Sequence, residues 1–132
     1  MIRTLVDTSA YSAHLRNHPR VTQALREADE VYVSVVVLGE LRAGFLRGSR
    51  AGANEDQLSG FLASPRVGVL PIDEETSRRY AVIHEYLRGR GTPVSPNDVW
   101  IAATAFQHGL HVLTTDSDFR QIPQIFVDDI EP

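Results

Sequence analysis

Five short apolar runs punctuate this chain, at Ile2 to Val6, Val31 to Val33, Val67 to Leu70, His111 to Leu113 and Ile125 to Val127. Each is bounded by turn-forming residues and reads as a strand. Helical patterns fill most of the intervals: Ser9 to Leu15, roughly Arg20 to Ala28, Val36 to Arg47, Glu55 to Ala63, Glu74 to Arg88 and Pro96 to His108. Strands that alternate with helices imply a parallel sheet covered on both faces. The expected fold is therefore α/β, a three-layer α/β/α arrangement with a five-stranded parallel sheet. The 132 residues are expected to form one domain, 1–132, large enough to bury about two-thirds of the surface of the unfolded chain.

Local signals fix several boundaries. Ser95-Pro96 places a capping hydroxyl before a proline suited to a first helical turn, and Gly109 is a helix stop. Pro19 and Gly48 act similarly at the second and third helices, and Gly48 to Asn54 is a small, polar stretch suited to a mobile loop. Gly89-Arg90-Gly91-Thr92-Pro93 lacks the third glycine of a phosphate loop and follows a helix, so it reads as a plain turn.

Four carboxylates, Asp7, Glu40, Asp98 and Asp116, stand where strands end or helices begin. In a doubly wound sheet those places meet at the carboxyl edge, near the point where strand order reverses. At about 5 Å two such groups repel by roughly 3 kcal/mol at an effective dielectric of about 20, so a cluster of four calls for a cation. Oxygen donors without His or Cys suit Mg²⁺ or Mn²⁺, and hence phosphate or phosphodiester chemistry. Each acid also has a structural alternative. Asp7 and Asp116 would serve as helix or turn caps, Glu40 would lie at the edge of a buried helix face, and Asp98 would close a capping box with Ser95. Thr8 and Ser9 would position a water beside Asp7, and Asp118 is expected to act behind Asp116 or through water. Asp73 also follows an apolar run, but on an edge strand it would be the N-cap of the fifth helix. The five histidines read as helix caps or surface groups rather than ligands.

The net charge of -4 does not exclude a nucleic-acid partner, because setting aside the four clustered carboxylates leaves the remainder neutral. All 13 basic residues are arginine, so phosphate recognition would rest on planar guanidinium forks. Arg42, Arg47 and Arg50, on or just after the third helix, are the candidates for RNA contact. The chain has no cysteine, no apolar run of membrane-spanning length and no signal-peptide pattern, so the cytoplasm is the expected location.

As a set, these motifs resemble the PIN-domain ribonucleases, in particular the VapC-type toxins of toxin-antitoxin pairs. The likeness runs along the whole chain. It is carried by Leu5-Val6-Asp7-Thr8-Ser9, by Glu40-Leu41-Arg42-Ala43-Gly44, by Asp98-Val99-Trp100-Ile101-Ala102-Ala103-Thr104-Ala105 and by Leu113-Thr114-Thr115-Asp116-Ser117-Asp118-Phe119. The resemblance implies an acidic pocket for Mg²⁺ or Mn²⁺ built from Asp7, Glu40, Asp98 and Asp116, with Thr8, Ser9, Thr114 and Asp118 as candidate supporting residues. It implies cleavage of single-stranded RNA, a homodimer and a cognate VapB-type antitoxin whose C-terminal segment covers the pocket. The expected roles are cation binding by Asp7, Asp98 and Asp116, with Glu40 orienting or deprotonating the attacking water. Two rivals are weighed against this. A Mg²⁺-dependent phosphatase or receiver relies on a lysine, which the chain lacks, and the dehalogenase-like pattern wants Asp where Ser9 stands. A catalytically silent module would use the pocket only to dock a partner, and the intact quartet speaks against it.

Overall fold

The computed structural model describes residues 1–132. It contains β1 (Arg3–Val6), α1 (Thr8–Leu15), α2 (Pro19–Glu27), β2 (Glu30–Ser34), α3 (Val35–Arg47), α4 (Ala51–Leu62), β3 (Val67–Leu70), α5 (Glu74–Arg90), α6 (Pro96–His108), β4 (His111–Thr114), a 3-10 turn (Ser117–Gln121) and β5 (Phe126–Asp129). The strands form one parallel sheet in the order β3-β2-β1-β4-β5. β1 is central, and Thr4, Leu5 and Val6 are all buried, as a strand covered on both faces requires. The chain winds outward from β1 to β2 and β3, then returns across β1 to β4 and β5. With right-handed crossovers, this reversal places α1 to α4 on one face and α5 with α6 on the other.

Helix ends follow side-chain chemistry. Asp73 and Thr76 form a reciprocal capping box at the start of α5, so Asp73 is the cap expected of it. Ser95 caps α6 before Pro96, and α6 ends at Gly109, whose φ of 66° suits a residue without a Cβ. His18 caps the N-terminus of α2, accepting the Val21 N–H, so it works at a helix start rather than a helix end. The stretch Gly48 to Asn54 is not an open loop. α4 begins at Ala51, four residues before Glu55, because packing against α3 supplies what Ala51-Gly52-Ala53-Asn54 lacks in helix preference.

One hydrophobic core of 27 buried residues runs between the sheet and its helices. Leu5, Val6, Val112 and Leu113 form its centre from the two middle strands, and Ile101, Ala102, Ala103 and Ala105 close it from α6. The small alanines let α6 lie close to the sheet, which carries its N-terminus to the carboxyl edge of β1 and β4. Strand order reverses between these two strands, which makes their carboxyl edge the place where an α/β sheet opens a crevice.

Candidate active site

Asp7 leaves β1 at that crevice and is only 3% exposed. Its carboxylate is held from three sides. The Ala10 N–H donates to Oδ1 at 2.8 Å, the Ser9 hydroxyl at 2.8 Å, and the Thr114 hydroxyl, from β4, donates to Oδ2 at 2.6 Å. Burial pushes the Asp7 carboxyl above the ordinary range; these hydrogen bonds oppose the shift and the charge of Asp116 adds to it. The capping role and the site role therefore coexist in one side chain.

Asp116 follows β4 and caps the 3-10 turn, with Oδ1 accepting the Asp118 N–H at 2.9 Å. Its own N–H donates to the Thr114 hydroxyl at 2.8 Å. The tight turn brings Asp118 back beside Asp116, and Asp98 approaches from the first turn of α6. One oxygen from each of Asp98, Asp116 and Asp118 lies within 4.8 Å of the others. Asp98 is raised from 3.8 to about 6, first by burial, then by the charge of Asp116, with Asp7 and Glu40 adding to it and Ser95 opposing it. The four expected acids thus share one electrostatic field. The Ser95 hydroxyl accepts the Asp98 N–H at 3.3 Å, but no bond returns from the Asp98 carboxylate to the Ser95 N–H, so the capping box is half formed.

Glu40 projects from α3 with each oxygen taken by a different neighbour. The Thr8 hydroxyl donates to Oε1 at 2.7 Å and the Asn97 amide donates to Oε2 at 3.3 Å. The residues that follow Asp7 and precede Asp98 therefore reach across to fix the third acid.

Some sequence expectations change here. Thr8 and Ser9 donate their hydroxyls to Glu40 and Asp7, and Ser9 also accepts the Thr115 N–H at 3.0 Å, so the pair braces carboxylates. Asp118 stands inside the tightest acidic group, whereas Asp7 and Glu40 lie outside it. Arg42 is engaged in a two-pronged pair with Glu55 at 2.9 and 3.2 Å. Asn97 escaped sequence reasoning because it reads as part of the α6 cap; its position next to Asp98 was the available signal.

No arginine or histidine forms an ion pair with Asp7, Glu40, Asp98, Asp116 or Asp118. Uncompensated carboxylates at this spacing, all oxygen donors, fit a hard divalent cation such as Mg²⁺ or Mn²⁺. Chemically, such a group is suited to hold a cation against a phosphate and to manage one proton on water.

A five-stranded parallel sheet reversing at β1 and β4, with an all-carboxylate site at the reversal, defines a class of α/β/α proteins with an acidic, cation-ready edge. The chain belongs to the PIN domain family, whose model matches residues 4–125. Its relatives there are VapC proteins and their kin. It is 43% identical over 95 residues to ribonuclease VapC4 of Mycobacterium tuberculosis, covering 72% of this chain and 73% of that one. It is 35% identical over 121 residues to toxin FitB of Neisseria gonorrhoeae, covering 86% and 87%. Among solved structures, DNA-bound VapBC from Salmonella typhimurium matches with a TM-score of 0.86 at 28% identity over 98% of both chains. FitAcB from Neisseria gonorrhoeae matches at 0.74 and 32% identity, over 94% of this chain and 95% of that one.

Proposed function

We propose that this protein is a metal-dependent endoribonuclease that acts as the toxin of a type II toxin-antitoxin pair and hydrolyses RNA phosphodiesters at the Asp7, Glu40, Asp98 and Asp116 site. One observation carries the reading: carboxylates from four separate segments converge at the switch point with no basic partner. The ribonuclease and toxin names of its relatives support the same activity.

Asp98 and Asp116, with Asp118 beside them, would hold Mg²⁺ or Mn²⁺, and Asp7 completes the negative wall from β1. When bound, the cation supplies charge neutralisation at the scissile phosphate and makes water easier to deprotonate. Glu40, clamped by Thr8 and Asn97, presents its carboxylate in one orientation, so it orients the attacking water and accepts its proton. Ser9 and Thr114 keep Asp7 from turning away as substrate enters. A VapB-type antitoxin would cover this edge, a homodimer would set two sites along one substrate path, and the cytoplasm is the compartment in which both RNA and antitoxin are met. The absence of lysine disfavours a phosphatase-like reaction at the same acids.

The test is purified protein, freed of partner, incubated with a structured RNA and Mn²⁺ or Mg²⁺ beside Asp7→Asn and Asp98→Asn. Cleavage by the unmodified protein, lost in both variants and on chelation, is the expected result. Undiminished cleavage in both variants overturns the site, and tight partner binding without any cleavage favours the docking-module rival.

A further inference from the structure

We propose that Arg47 receives a phosphate of the single-stranded RNA, on the α3 ridge between two hollows beside Glu40; this rests on the ribonuclease reading above. Two surface hollows of about 540 and 320 Å³ flank α3, and the only residues lining both are Glu40 and Arg47. Positions 40, 44 and 47 fall on one helix face. Between the acid and the cation stands Gly44, and a Cβ placed there would lie 3.9 Å from Arg47 Nη2. The guanidinium therefore lies back over Gly44, along the ridge that joins the two hollows.

Arg47 makes no ion pair, which leaves its planar donors available to a phosphate. The neighbouring arginines are placed differently. Arg42 is occupied by Glu55, and Arg50 stands at the N-cap of α4, outside both hollows. A phosphodiester strand entering an acidic site meets repulsion, and one fixed cation at the rim offsets part of it while setting the strand's direction.

The experiment measures binding of a labelled single-stranded oligoribonucleotide to Asp98→Asn protein across a salt series. Adding Arg47→Gln is expected to raise Kd about tenfold, as for loss of one charge-assisted hydrogen bond. It is also expected to flatten the log Kd against log salt slope by about 0.7, the increment for one single-strand phosphate contact. Arg47→Lys restores the slope because it keeps the charge. Arg42→Gln leaves the slope unchanged. An unaltered slope in Arg47→Gln, or an equal loss in Arg42→Gln, overturns the assignment while RNA binding itself persists. If the Asp98→Asn protein binds no RNA and the unmodified protein cleaves none, the ribonuclease reading falls and takes the assignment with it.

Discussion

Thr114 stands between two acids, donating to Asp7 at 2.6 Å and accepting the Asp116 N–H at 2.8 Å through one buried hydroxyl. Thr114→Val keeps the shape and removes both bonds. Leaving those partners unsatisfied is expected to lower stability by about 1–3 kcal/mol, read from denaturant midpoints, and to raise the Asp7 pKa further. Asn97 offers a different kind of test. Asn97→Ala frees one oxygen of Glu40, an exposed contact, so the expected outcome is slower cleavage at saturating RNA with little change in melting temperature. At this scale the sequence is legible unevenly. Asp7, Asp98 and Asp116 are recognisable because each occupies a strand end or helix start, which topology alone brings together, and Glu40 because it is a carboxylate set among the apolar residues of α3. Asp118 is legible only as a supporting residue behind Asp116 and Asn97 not at all, because their placement depends on how a 3-10 turn and a helix cap aim their side chains.

Helices and strands are set mostly by patterns visible in the chain, and their exceptions have physical causes. Pro96 and Gly109 bound α6 as written, whereas α4 starts early because α3 offers it a surface to pack on. Asp73 separates capping from activity. Its carboxylate accepts the Thr76 N–H at 3.0 Å and the Gln107 amide at 3.0 Å, on the sheet's outer edge and away from the acidic cluster. Asp73→Ala is expected to lower stability by about 1 kcal/mol and to leave RNA cleavage per folded molecule unchanged. Loss of cleavage in that variant at full folding would contradict the placement of the site at β1 and β4.

For the whole molecule, the acidic edge opposes folding when no cation is bound. Asp98 is raised from 3.8 to about 6, so the folded protein binds protons more tightly than the unfolded chain between those values. The stabilising contribution is complete below about 3.8 and is lost as pH rises through about 6. Burial of Asp7 acts in the same direction. Metal-free protein is therefore expected to lose melting temperature as pH rises across this interval, and Asp98→Asn to flatten the trend. Added Mg²⁺ or Mn²⁺ is expected to raise the melting temperature more at neutral than at acid pH, because ligands bind as carboxylates. A melting curve indifferent to both pH and cation would contradict the coupling of these acids.

The bond between Thr114 and Asp7 joins residues 107 positions apart. β1 is made first yet lies in the middle of the sheet, and one of its edges has no partner until β4 has been synthesised. Closing so long a loop is slow relative to local helix formation. A chain under synthesis consequently carries Asp7 and Glu40 before Asp98 and Asp116 have been added. Until then the order of winding leaves the central strand unpaired on one side and exposed to aggregation.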